Sequence, residues 1–209
     1  KWIVSGPGTA YGRLNQLKTS YNTVLETVKA NEKTFIPLSD YCNLNNCTIT
    51  NSIANEPYRV TGSDLTLRNV TITSKKVILL VDGTVHISGP IQVSPGAFFM
   101  IASKGDIIVD PAVGASTPSC SSTSQLQGIF STDRNFIVLG GAVCPTVDKQ
   151  LKVSGSIITN ASLTSRGKFS NNRTLCSQNA EFPVFMIEPR LDFILNVPES
   201  FLKVSTTWQ

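Results

Sequence analysis

A mainly β fold is predicted: a right-handed parallel β-helix, or solenoid, with one amphipathic helix near its start that packs on it or caps it. Three observations lead there. From residue 34 onward the chain is a long series of short apolar runs punctuated by Gly, Pro, Asn, Asp and Ser, the pattern of strands and turns. Two of these runs repeat at a fixed step: Gly105 follows Gly83 by 22 positions, and Ile107 and Val109 follow Val85 and Ile87 by the same step. A period of that size is one coil of a parallel β-helix. The runs 77–81 and 97–102 are apolar at every position, as strands buried on both faces are.

The helix comes first. Leu14, Leu17, Tyr21, Val24, Leu25 and Val28 fall at helical spacing, with Arg13, Asn15, Asn22 and Lys29 off the stripe, which predicts a helix over 10–31. Gly6, Pro7 and Gly8 break the chain before it, and Asn31, Glu32 and Lys33 suit its end. The chain therefore divides into an N-terminal segment, 1–33, and a β-helix with an irregular tail, 34–209.

Strands are expected at 65–72, 77–81, 84–88, 97–102, 107–109, 128–131, 135–139, 151–153, 156–159 and 184–187. A single coil is too short to enclose a core, so coils stack, pair their strands in parallel and bury a continuous inner column. Val85, Ile87, Ile107 and Val109 then point inward, and Thr84, His86, Ser88, Asp106 and Asp110 outward, because side chains alternate along a strand. Gly83 and Gly105 are expected at corners whose backbone conformation only glycine adopts. The doubly apolar runs need an outer cover, which the helix stripe can supply. The tail from Glu188, with Pro189 and Pro198, is expected to shield the far end of the solenoid.

Composition narrows the function. Charged residues are 15% of the chain and hydrophobic ones 41%, which suits β-rich proteins outside the cytoplasm and not disordered ones. The net charge of +4 is scattered, with no basic block to follow a nucleic acid. No apolar run approaches the roughly 20 residues that span a bilayer. The chain begins at Lys1 without a signal-like segment and reads as a processed or trimmed piece, from which any anchor or export signal would have been lost.

There are five cysteines and one histidine, with no zinc-type spacing, so no metal and no cofactor is expected. Cys42 and Cys47 bracket an Asn-rich turn that a local disulfide would pin, and Cys120 and Cys144 are candidates to bridge neighbouring loops. Cys176 would be left over. His86 lies beside Ser88 on an outward strand face without a third orienting group. Asp106 and Asp110 share a face but stand about 13 Å apart along a strand, too far for a glycosidase pair. Asp82 and Asp106 are the one weak catalytic pair, at a separation of roughly 8 Å. Lys104 aligns with Asp82, so a cross-strand ion pair explains that carboxylate equally well. The four Asn-x-Ser/Thr sequons, at Asn46, Asn69, Asn160 and Asn172, are no more than chance supplies in a chain this rich in Asn, Ser and Thr.

The segments 81–87, 135–141, 151–158 and 188–193 and the ending Thr206-Thr207-Trp208-Gln209 resemble the C-terminal region of large surface proteins from uncultivated candidate-phyla (Patescibacteria-type) bacteria. The likeness spans roughly 65–209. It implies cell-surface exposure and a solenoid, and carries no catalytic residue. The expected function is thus an extracytoplasmic structural or adhesive module of a surface or filament assembly, whose partners are further copies, other surface proteins or glycans. Two alternatives stand beside it: a polysaccharide-active or carbohydrate-binding β-helix, and a cytoplasmic bactofilin-like polymer, which free thiols would favour.

Overall fold

A computed structural model describes residues 19–31, 33–121, 123–163, 166–198 and 201. Among these residues fourteen strands form one sheet, and every strand pairing is parallel, the arrangement of a β-solenoid. The register sorts the strands into three faces. The first stacks β1 (Ile36–Pro37), β3 (Pro57–Val60), β5 (Lys76–Val81), β8 (Phe98–Ser103) and the second halves of β10 (Leu126–Thr132) and β12 (Leu151–Ile158). The second stacks the first half of β4 (Leu65–Ile72), β6 (Val85–Ile87), β9 (Ile107–Val109), β11 (Phe136–Val138) and β13 (Phe169–Asn171). The third stacks β2 (Cys47–Ile49), the second half of β4, β7 (Ile91–Val93), the starts of β10 and β12, and β14 (Phe185–Glu188).

The expected 22-residue step is the observed one: Val85 pairs with Ile107 and Ile87 with Val109. It is local, however. Down the second face Leu65, Val85, Ile107, Phe136 and Phe169 are partners at steps of 20, 22, 29 and 33 residues. The extra residues fall mainly in 110–125, 139–150 and 172–184, which all leave the second face and return on the third. Those three stretches therefore pile up at one corner, while 159–168 adds a further insertion at the corner between the first and second faces.

Inside, Leu65, Val85, Ile107 and Phe136 form one buried column and Leu67, Ile87, Val109 and Val138 another. His86 and Ile108 between them are only partly buried, as alternation requires. Gly83 and Gly105 hold their corner for a different reason from the one expected. Neither has a left-handed backbone; a Cβ on Gly105 would stand 2.6 Å from the Gly83 carbonyl oxygen, and one on Gly83 2.3 Å from that of Ser63. It is the close approach of stacked coils that excludes a side chain. Backbone conformation matters instead at Gly128 (φ +152°) and Gly155 (φ +141°), partners in register where β10 and β12 turn from the third face to the first.

The doubly apolar strands are covered as expected. Arg59, Ser131 and Phe98 on the first face meet Tyr21, Thr19 and Phe193, so their side chains point out of the solenoid. Alternation and register put Ile78, Leu80, Met100 and Ala102 on that same outer side, all buried. Helix α1 (Tyr21–Ala30) lies on this wall with Tyr21, Val24 and Val28 buried. It begins later than the stripe predicted: Ser20 is its N-cap, accepting from the Thr23 amide at 3.3 Å. The earlier part of the predicted helix, including Leu14 and Leu17, lies outside the described residues. The tail also differs. Arg190 donates to the Val93 carbonyl at 2.6 Å, and Phe193 of α2 (Asp192–Leu195) packs edge-on against Phe98, so this segment folds back along the side wall rather than over the end.

Candidate functional site

Asp82 and Asp106 are held in separate side-chain ladders. Asp82 makes an ion pair with Lys104 at 2.9 Å. Register places Asp133 on the other side of Lys104, giving an Asp–Lys–Asp ladder across three coils. The hydrogen bond and charge of Asp82 hold the Lys104 ammonium above the usual lysine range, and Tyr21 and Asp133 add to it. Asp133 in turn accepts from the Tyr21 amide at 3.3 Å, receiving the N-terminus of α1. Burial pushes its carboxyl up, against the Tyr21 bond and the Lys104 charge.

Asp106 belongs to another ladder. Its Oδ1 accepts from the backbone amide and the side-chain amide of Asn135, both at 2.9 Å. Asn135 passes the pattern on, accepting from the Lys168 amide at 3.1 Å, and two coils before Asp106 the carboxylate of Asp64 accepts from the Thr84 amide at 2.7 Å. These side chains replace ladder bonds that the backbone loses at the corner between the first and second faces. His86 gains no partner in Ser88, whose hydroxyl donates to the Leu67 carbonyl at 3.2 Å.

The cysteines pair differently from the expectation. Cys42 and Cys47 are joined, but Cys144 pairs with Cys176, and Cys120 is an exposed free thiol. The physical reason is the corner where the long loops stack: 139–150 and 172–184 are adjacent layers of it. Two side chains clasp the same corner. Arg173 is buried and donates to the carbonyls of Leu139 (2.9 Å), Val113 (2.6 Å), Lys149 (3.0 Å) and Asp110 (2.7 Å). Asp148 accepts from the amides of Gly141 (2.9 Å), Ala142 (3.1 Å) and Thr174 (2.9 Å). Burial raises the Asp148 carboxyl, but those amides and the Arg173 charge outweigh it and hold it below the usual range. Burial lowers the Arg173 guanidinium, and Asp148 opposes that.

A second polar cluster joins the third-face coils. Ser154 donates to Glu188 at 2.8 Å, Ser124 bonds Ser154, and Lys152 pairs with Glu188 at 3.1 Å. The Ser154 bond and Lys152 hold the Glu188 carboxyl low, so it is a poor base for activating a serine. Among the described residues no three His, Cys, Asp or Glu side chains are grouped to hold a metal.

Two features of the described residues stand open to solvent. A cleft of about 580 Å³ lies between the end of α1 and the first two coils, lined among others by Lys29, Lys33, Phe35 and Arg59. The last coil is the other. Its inward positions Phe169 and Ile187 are 41% and 50% exposed, whereas Phe136 and Val153 beneath them in register are fully buried. Sequence reasoning reached neither, nor the Arg173 clasp, because each joins residues from separate coils whose spacing the loop insertions make irregular. The 151–158 repeat was the available signal for the last coil. Comparisons of the chain with protein-family models, with curated proteins and with solved structures returned no match.

Proposed function

We propose that the chain is an extracytoplasmic structural module, a right-handed β-helix displayed at a cell surface, that pairs with a second copy through its open last coil. The observation that carries this reading is the contrast between the two ends. At the first coil Leu38 of the 3₁₀ turn Leu38–Asp40 and Cys47, Ile49 and Ile53 are fully buried, and Tyr41, Cys42 and Leu44, around the loop pinned by Cys42–Cys47, pack against the core. At the last coil Phe169, Phe185 and Ile187 continue the buried columns but are not covered to the same degree. A strand edge flanked by exposed apolar side chains is a template for another edge. Because among the described residues the first coil is covered and the last is open, two copies meet with like ends together, an isologous contact that closes at two. The two disulfides favour an oxidising compartment over the cytoplasmic alternative. The resemblance of 65–209 to bacterial surface proteins supports the same setting.

Sedimentation equilibrium of the wild-type chain and of Phe169→Ser with Ile187→Lys tests it. A wild-type dimer that the double variant dissociates, with an unchanged circular dichroism spectrum, is the expected result. A wild-type monomer, or a dimer indifferent to both substitutions, overturns the reading.

A further inference from the structure

We propose that the cleft between the end of α1 and the first two coils binds the carboxylate of an acidic saccharide. The site is distinct from the open last coil and does not depend on it. Its volume of about 580 Å³ is that of a small-ligand site rather than of a packing defect. Three cations line it. Arg59 is set in place by the Tyr21 hydroxyl, which accepts from its Nε at 3.1 Å and from Nη2 at 2.9 Å. That leaves one edge of the fork uncommitted in the hydrogen bonds of the site, and no carboxylate among the described residues forms an ion pair with it. Arginine held this way has already lost the rotamer freedom that binding would otherwise cost.

Lys29 and Lys33 are at the rim. Their partners Glu26 and Glu56 lie at 3.2 and 3.9 Å, in exposed pairs of the kind that contribute little and exchange readily. The local balance of these five side chains is therefore one net positive charge, with Arg59 supplying it. Around the cations stand Phe35, partly buried, and the hydroxyls of Thr34 and Thr61. A planar carboxylate suits the arginine fork. The C–H face of a sugar ring suits the aromatic wall and its hydroxyls suit the neighbouring hydroxyls, which a purely apolar acid would leave unmatched.

Isothermal titration with trigalacturonate, galactotriose and inorganic phosphate tests the assignment. Saturable binding of trigalacturonate is expected, with at least tenfold weaker binding of the neutral galactotriose. Lys33→Gln, a rim substitution that leaves the Arg59–Tyr21 contact intact, is expected to weaken the acidic trisaccharide several-fold, and Arg59→Gln tenfold or more. Because Arg59→Gln also touches the docking of α1, its circular dichroism and thermal midpoint are read alongside, and Lys33→Gln decides if it misfolds. The proposal is overturned by any of three results: no saturation up to about 10 mM trigalacturonate, equal binding of galactotriose, or affinity unchanged in Lys33→Gln. Displacement of the trisaccharide by an equal concentration of phosphate assigns the cleft to a bare anion and overturns the saccharide as well.

Discussion

Replacing Arg173 by Met is the sharpest test of how the late coils are held. The guanidinium is 6% exposed and reaches from its own loop to four carbonyls of two neighbouring loop layers, those of Asp110, Val113, Leu139 and Lys149. Methionine fills much of the same space and donates nothing, so all four carbonyls lose the guanidinium, the Asp110 carbonyl keeps the Val113 amide at 3.1 Å, and Asp148 loses its counter-charge. Charged hydrogen bonds contribute about 1.5–3 kcal/mol each, but these four share one side chain and do not add. Loss of one member of a buried charged network costs about 3–5 kcal/mol, a large share of the roughly 5–15 kcal/mol that holds an ordinary domain. Urea unfolding is expected to show that loss as a lowered midpoint. Hydrogen exchange is expected to speed up at the Gly141, Ala142 and Thr174 amides, which Asp148 binds. Arg173→Lys keeps the charge but not the fork, and is expected to fall between the two. A midpoint shift corresponding to less than about 1 kcal/mol for Arg173→Met, with those amides still protected, would refute the clasp.

Three further outcomes follow from the same structure. Gly155→Ala puts a Cβ 1.9 Å from the Gly128 carbonyl oxygen at a φ of +141°, so a sharply lowered thermal midpoint or loss of soluble protein is expected, and a wild-type midpoint would contradict the corner geometry. Non-reducing peptide mapping is expected to find Cys144 linked to Cys176 and Cys120 alkylated without reduction; a Cys120–Cys144 peptide would reverse the assignment. Chain entropy makes the Cys144–Cys176 link, with its sequence separation of 32, the more stabilising one, at about 3–4 kcal/mol against about 2 for Cys42–Cys47. Asp133 has a folded carboxyl pushed up mainly by burial, so the folded state binds its proton more tightly than the unfolded chain does. Its contribution to stability is therefore greatest in acid and declines as pH rises from the ordinary carboxylate range through the raised value. Comparing urea midpoints across that window, Asp133→Asn is expected to lack this decline, and an identical pH profile in both proteins would refute it.

How much of this was legible follows from where the insertions lie. Between β5 and β9 neighbouring coils have no extra residues, so the step of 22 and the inward set Val85, Ile87, Ile107 and Val109 stand in the sequence. After Val109 the register partners are 29 residues away or more on the second face, and the period vanishes from view. β1 and β3 escaped because each is short and contains a proline, Pro37 and Pro57, which reads as a break. The Cys144–Cys176 pair escaped because cysteines are matched by the stacking of loops, not by distance along the chain. Asp82 and Asp106 were visible as a candidate carboxylate pair, and the Lys104 pairing was visible with them. What sequence could not show was that Asp106 is already occupied by Asn135.

The corner of stacked loops explains why the chain can be regular and irregular at once. The inner columns repeat because each coil must bury the same width of apolar side chains, and Val138 sits on Val109 as Val109 sits on Ile87. Nothing comparable constrains 110–125, 139–150 and 172–184, which pass outside those columns. Lengthening them leaves the sheet register intact but adds backbone polar groups that no strand partner satisfies. Arg173 and Asp148 answer that need directly: one supplies donors to orphaned carbonyls, the other an acceptor to orphaned amides, and the Cys144–Cys176 link ties the two loop layers they come from. The late coils are thus held at their corner by side chains, where the early ones are held by short turns. That is why a single substitution at Arg173 is expected to loosen three loops while leaving Val85, Ile107 and Phe136 packed.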